Sequence, residues 1–148
     1  MRVAVTNSQR HYPVNTAQMR QVAWRAMQRL GLRGQGTMAV TFIGQQQMRH
    51  VHQTFLRDDS PTDVITFRYP GEPIIGELLI APAAAHRYAM RHSIPYRVEL
   101  ARYVLHGLLH WKGYEDRTSA QQRRMRRRED ELLAHCGIKV QVNGSAYR

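Results

Sequence analysis

The sequence has 148 residues, 43% of them hydrophobic, which is typical of one globular domain. Its single cysteine, Cys136, excludes an intrachain disulfide and a Cys-rich zinc finger, and suits a reducing cytosol. Lysine and arginine number 22 against 11 acidic residues, and the net charge of +11 favours a polyanionic partner, nucleic acid rather than a membrane.

Hydrophobic periodicity predicts nine elements of secondary structure. Strands and helices mix along the chain, which indicates an α/β (α+β) layer fold: a small mixed four-stranded sheet packed with about five helices. Asn15, with Gln18 three residues later, is typical of a helix N-cap, and Gly31 ends that helix. We expect one domain over 1–137 and a polar tail over 138–148. In chain order the elements are strand 2–6, helix 15–30, strand 37–43, helix 48–56, strand 64–69, strand 74–81, helix 82–90, helix 95–111 and helix 118–136.

His106 and His110 are four residues apart in a predicted helix, so their side chains lie on one face, one turn apart. Gly113 then interrupts the helix, because glycine readily adopts positive φ, and Asp116 follows six residues after His110. Two imidazole nitrogens and one carboxylate oxygen leave a fourth position open, as in catalytic zinc sites. The pattern therefore predicts one zinc ion per chain, at the end of a helix.

Glu99 lies seven residues before His106 and shares its helix face. Two roles stay open for it. In the first role, its carboxylate accepts a hydrogen bond from the distal N–H of a ligand histidine and so fixes the tautomer of that histidine. Alternatively, it is a surface residue in the first helical turn, where an acidic side chain is favourable.

Three blocks of this sequence are similar to motifs of the YbeY family, bacterial endoribonucleases and ribosomal RNA maturation factors. Residues 106–116 read HGLLHWKGYED and resemble the family signature H-G-x-L-H-L-x-G-Y-D-H. Residues 61–67 read PTDVITF, and residues 76–80 read GELLI, as in two further family blocks. Met125, Glu129 and the pair at 132–133 match the closing helix of the family. The similarity covers almost the whole chain, in the right order.

Two positions depart from the family pattern. The third metal histidine of the family falls on Asp116, a harder oxygen donor that shifts metal affinity and preference. The functional arginine of the family lies five residues before the proline of the P-T-D block, where this chain has Leu56. Residues 58–61 read DDSP and predict a turn. Arg57 lies just before this turn, one residue after Leu56, and is the candidate for that catalytic role; the alternative is a solvated arginine of the turn.

The resemblance implies a metal-dependent endoribonuclease that cleaves single-stranded RNA in the maturation of small-subunit ribosomal RNA and in ribosome quality control. A first alternative is a zinc metallopeptidase, since H-x-x-x-H-x-x-G-x-x-D resembles metzincin spacing. Metzincins carry a glutamate as general base where this chain has Gly107, which argues against that alternative. A second alternative is a non-catalytic ribosome-assembly factor with structural zinc.

Several arginines crowd the beginning of the last helix, just after the predicted metal turn. Met125 is expected to face the core, which leaves the arginines at 123, 124, 126 and 127 on exposed sides. The candidate RNA-binding residues among them are Arg123, Arg124 and Arg127. The alternative is a solvated face that is partly balanced by the acidic residues 129–131. Arginine near a helix N-terminus is unfavourable because the helix dipole is positive there, so a bound anion is the favoured explanation.

No apolar stretch approaches the roughly 18 residues of a membrane-spanning helix. The N-terminal segment turns polar too soon for a signal peptide. We therefore expect a cytoplasmic protein. The resemblance to the YbeY family implies RNA and the small ribosomal subunit as its partners.

Overall fold

The computed structural model describes residues 1–56, 64–71 and 73–139 of the chain. Within these ranges lie four strands and five helices, which confirms the predicted α+β fold. They are β1 (Arg2–Asn7), α1 (Thr16–Arg29), β2 (Thr37–Phe42), α2 (Gln45–Leu56), β3 (Val64–Arg68), β4 (Ile74–Ile80), α3 (Pro82–His92), α4 (Tyr96–Lys112) and α5 (Ser119–His135).

The four strands form one mixed sheet in the order β1-β2-β4-β3. β1 and β4 both run parallel to β2, while β3 pairs antiparallel with β4. Met38, Val40 and Phe42 alternate along β2 and are fully buried, which identifies the sheet face that is covered by helices. The strand order makes β1 and β3 the two edges of the sheet.

Helix α4 forms the centre of the core, since eleven of its 17 residues are buried. It packs across β3 and β4 and against α1, α3 and α5. Gly107 permits its close approach to the sheet, because a Cβ atom at that position would lie 3.0 Å from the side chains of Leu78 and Val64. His106 and His110 occupy the partly exposed side of this helix, whose other side is buried in the core.

The helix ends follow the local sequence. The Asn15 side chain accepts a hydrogen bond from the backbone N–H of Gln18 at 3.0 Å, which confirms the predicted N-cap. Thr118 and Gln121 form a complete capping box at the beginning of α5. α2 begins at Gln45, three residues earlier than the apolar stripe alone predicts.

Three sequence predictions concern residues beyond this description. The turn at 58–61 and Arg57 lie outside the described residues, as does the predicted tail from 140 onward. Ile138, at the beginning of that predicted tail, is buried against the core, and its N–H donates to the Leu133 carbonyl. Among the described residues, no helix is both long and apolar enough to cross a membrane.

Candidate metal centre

Three donor atoms converge where α4 ends. His106 Nε2 lies 3.0 Å from His110 Nε2, and Asp116 Oδ2 lies 3.3 Å and 3.4 Å from these two nitrogens. A tetrahedral ion with bonds of about 2.0–2.1 Å separates its donor atoms by about 3.3–3.4 Å. The three residues are therefore spaced as one small metal ion requires, with a fourth position left open.

The turn after α4 brings Asp116 to the two histidines. Gly113 ends the helix with φ 114° and ψ 3°, and its N–H donates to the carbonyls of Leu109 and His110. A Cβ atom at Gly113 would meet no neighbour within 4 Å, so glycine is required for its backbone angle and not for space. This reversal of the chain places residue 116 over the same helix face as residues 106 and 110.

Hydrogen bonds at the distal ring nitrogens set the tautomers of both histidines. His106 Nδ1 lies 2.6 Å from the carboxylate of Glu129, and His110 Nδ1 lies 3.0 Å from the carbonyl oxygen of Tyr114. Both partners are acceptors, so each Nδ1 carries the proton and each Nε2 presents a lone pair. Two imidazole lone pairs and the lone pairs of Asp116 then face one another at 3.0–3.4 Å, a repulsive arrangement that a cation between them relieves.

Glu129 is the carboxylate that orients His106, and it is buried. Its second oxygen accepts from Arg102 Nη1 at 2.9 Å, and Arg102 Nη2 donates to Asp130 at 2.8 Å. Burial alone would raise the pKa of Glu129. The hydrogen bonds that this carboxylate accepts from His106 and Arg102, together with the positive charge of Arg102, outweigh burial and hold the pKa of Glu129 below its usual value. The carboxylate therefore stays ionised and acts as an acceptor for both neighbours.

The suggested contact between Glu99 and a ligand histidine is wrong, because both ring nitrogens of His106 are engaged by other groups. Glu99 is fully buried and pairs with Arg102 at 3.7 Å, so the surface alternative is also wrong. The sequence did contain a signal for Glu129. It lies four residues after Met125 and three before Leu132, so it is an acidic residue within the buried stripe of α5.

A cavity of about 290 Å³ opens beside the donor atoms. Arg126 from α5 lines this cavity together with residues of the metal cluster. The lining of the cavity consists of His106, Asp116, Gln122, Met125, Arg126 and Glu129.

The candidate RNA-binding residues Arg123, Arg124 and Arg127 are exposed on α5, as the sequence predicts. The guanidinium carbon of Arg124 lies 5.1 Å from the centre of the Tyr114 ring.

Trp111, the residue after His110, connects the end of α4 to the sheet edge. Its ring lies where a Cβ atom at Gly76 would be, only 2.4 Å from that position. The guanidinium of Arg68 stacks over the same ring at 3.9 Å and donates to the Trp111 carbonyl. The glycine of the G-E-L-L-I block thus has a structural explanation, since a larger residue would displace the helix end that carries His110.

The sequence and the fold of this chain are similar to those of known proteins. The sequence model of the family described as Endoribonuclease YbeY matches residues 4–137. The chain belongs to the YbeY family. An endoribonuclease YbeY from Geobacter metallireducens is 34% identical over 143 residues, which cover 90% of this chain and 95% of the relative. One from Moorella thermoacetica is 27% identical and covers 94% of this chain and 99% of its own length. The solution structure of a Thermotoga maritima protein covers 89% of both chains with a TM-score of 0.60 at 20% identity, a likeness of fold.

Membership of the YbeY family confirms the endoribonuclease predicted from the sequence, in a family known in ribosomal RNA maturation, with RNA as partner. The peptidase alternative is not supported. Position 107, where a metzincin has its general base, contacts the sheet and not the donor atoms, because α4 turns it away from the face of His106 and His110. The non-catalytic alternative is likewise not supported, since the curated relatives are named as endoribonucleases.

Proposed function

We propose that this member of the YbeY family is a cytoplasmic, zinc-dependent endoribonuclease that cleaves single-stranded RNA. Its role would be in the maturation of small-subunit ribosomal RNA and in ribosome quality control, on the ribosomal subunit itself. One observation carries the metal dependence: the lone pairs of His106, His110 and Asp116 converge at 3.0–3.4 Å while both distal nitrogens are held by acceptors.

In this proposal one zinc ion is held by His106, His110 and Asp116. When bound, such an ion supplies a Lewis acid that polarises a phosphoryl oxygen and lowers the pKa of a coordinated water. Glu129 and the Tyr114 carbonyl hold the two imidazoles in the tautomer that presents Nε2 to the ion. Asp116 contributes an anionic donor where the resemblance implies a neutral histidine, so the loaded site is less positive by one charge.

The arginines of α5 are assigned to the RNA. Arg126 lines the cavity at the donor atoms, where a guanidinium can donate to a phosphate in a planar fork. Arg123, Arg124 and Arg127 extend the positive surface along the exposed side of the helix. Arg57 remains the candidate for the catalytic arginine of the family, and replacing it by alanine should reduce RNA cleavage without reducing metal content.

The test combines metal analysis with cleavage assays on the purified protein. We expect about one zinc ion per chain and cleavage of an unstructured RNA that stops in EDTA and returns when zinc is restored. His106→Ala and His110→Ala should lose both metal and cleavage. His135→Ala is the matched control, because His135 is an exposed histidine on α5 and should keep both.

Denatured casein is incubated in parallel as a peptidase substrate. Full zinc occupancy in both ligand variants would refute the assignment of the site. RNA cleavage that persists in EDTA would refute the metal dependence, and zinc-dependent hydrolysis of casein without RNA cleavage would favour a peptidase.

A further inference from the structure

The positive charge of this chain is distributed unevenly along the sequence. The first 57 residues contain eight arginines and no aspartate or glutamate, because the first acidic residue is Asp58. This segment therefore supplies eight of the eleven net positive charges, although the metal cluster is built from α4 and the turn that follows it. A basic segment of this length that includes β1 and α1 indicates a second place where a polyanion is held.

A cavity of about 570 Å³ lies between β1 and α1 in this basic segment. Positions 17, 20, 21 and 24 are spaced to share one face of α1, and that face borders the cavity. The large side chain of Trp24 is 50% exposed there, so one face of its indole is accessible to a ligand. None of the lining residues is acidic. They are Arg2, Val3, Ala17, Arg20, Gln21 and Trp24.

This cavity lies away from the candidate metal centre. β1 is the edge of the sheet opposite β3, and α1 packs over β1. Helix α4, which carries His106 and His110, packs across β3 and β4 and also against α1, but none of the residues that line the cavity belongs to the metal cluster. A ligand in the cavity would therefore contact residues that take no part in holding the metal.

We propose that the cavity between β1 and α1 binds an unpaired segment of RNA. A base stacks on the exposed indole of Trp24, and the flanking phosphates accept hydrogen bonds from Arg2 and Arg20. Exposed aromatic rings beside guanidinium groups are the usual platform for single-stranded nucleic acid, because every base has a face that can stack. The choice of RNA as the polyanion rests on the proposed function.

Holding RNA at a second site has a consequence for cleavage. An RNA that is long enough to reach both sites can be held in the cavity while another part of it binds at the metal centre. Being held there raises the effective concentration of the RNA at the metal centre. A short RNA that reaches only the metal centre gains nothing from the cavity. Loss of the cavity should therefore impair cleavage of long substrates more than that of short ones.

The test measures binding of a fluorescein-labelled, unstructured RNA in EDTA, so the readout does not depend on metal-dependent cleavage. Trp24→Ala should weaken binding about 5- to 150-fold, the loss expected for one stacked base. Trp24→Phe keeps an aromatic face and should retain most of the affinity. Met90→Ala is the matched control, because Met90 is also a large apolar side chain exposed on a helix, and it should bind like the wild type.

The arginines are tested through the salt dependence of binding. Arg20→Gln should lower the slope of log affinity against log salt by about 0.7, the contribution of one phosphate contact on a single strand. Arg91→Gln removes one exposed charge from α3 and should leave the slope unchanged. Quenching of tryptophan fluorescence by unlabelled RNA should also be smaller in Trp24→Phe, in which Trp111 is the remaining indole.

Wild-type affinity in both Trp24→Ala and Arg20→Gln, with equal quenching in Trp24→Phe, would overturn this proposal while leaving the proposed cleavage intact. Competition by polyglutamate as strong as that by RNA at equal charge would also overturn it, in favour of an acidic protein partner. Absence of RNA cleavage alongside the expected binding losses would instead refute the proposed function and leave the binding site standing.

Discussion

Glu129→Gln tests whether the carboxylate behind His106 controls metal affinity. Glu129 accepts hydrogen bonds on both oxygens, from His106 at 2.6 Å and from Arg102 at 2.9 Å. A glutamine has one acceptor oxygen, so one of these two donors must then face an NH₂ group. Loss of such partners behind a metal ligand typically weakens metal binding 10- to 100-fold, or about 1.4–2.8 kcal/mol. The same lost buried hydrogen bond should lower the free energy of unfolding by about 1–3 kcal/mol.

Zinc affinity is measured by competition with a chromophoric chelator, at a temperature where circular dichroism shows the variant to be folded. Glu131→Gln is the control, since Glu131 lies two residues away on α5 and pairs with Arg128 at the surface. Its zinc affinity should equal that of the wild type. A Glu129→Gln variant that binds zinc within twofold of the wild type would refute the reasoning, because His106 would then need no carboxylate to hold its tautomer.

Three further predictions concern the turn and the basic helix. Asp116→His should retain or tighten zinc binding, whereas Asp116→Ala should weaken it substantially. If the alanine variant bound zinc as tightly as the wild type, Asp116 would not be a ligand. Gly113→Ala forces a side chain to φ 114°, which should cost about 1–3 kcal/mol in thermal unfolding, while Gly71→Ala should cost little because Gly71 has neither positive φ nor a close neighbour. Replacing three arginines of α5 by alanine should lower the salt slope of RNA binding by about two without changing metal content, and an unchanged slope would mean that the RNA follows another path. The three are Arg123, Arg124 and Arg127.

The fold could be predicted from local signals because those signals agree with one another. The alternation in β2, the cap at Asn15 and the glycine at 113 each specify an element or its end, and the structure has each where the sequence puts it. The cluster of His106, His110 and Asp116 could be predicted in the same way, because all three lie within eleven residues. One helical turn separates the two histidines, and the reversal of the chain at Gly113 brings Asp116 back to them.

The partner of His106 could not be read from spacing, because it comes from another helix. Glu99 was the candidate within α4, since it shares a face with His106. Which face of α5 meets α4 is decided by the packing of Met125 and Leu132 into the core, and that packing carries Glu129 to the Nδ1 atom. The cavity at Trp24 is likewise formed by β1 and α1 together, and helical periodicity alone shows only that Trp24 is exposed.

The identity of the residue at position 116 affects the net charge of the proposed metal site, and so does the positive charge of the neighbouring Arg126. In the proposed zinc site, an aspartate donor would leave one positive charge where a third histidine would leave two, so the ion would attract a phosphate less strongly. Arg126 lines the same cavity and can restore that charge without entering the donor set. In the proposed function, Arg126 therefore offsets the positive charge that Asp116 would remove from the site.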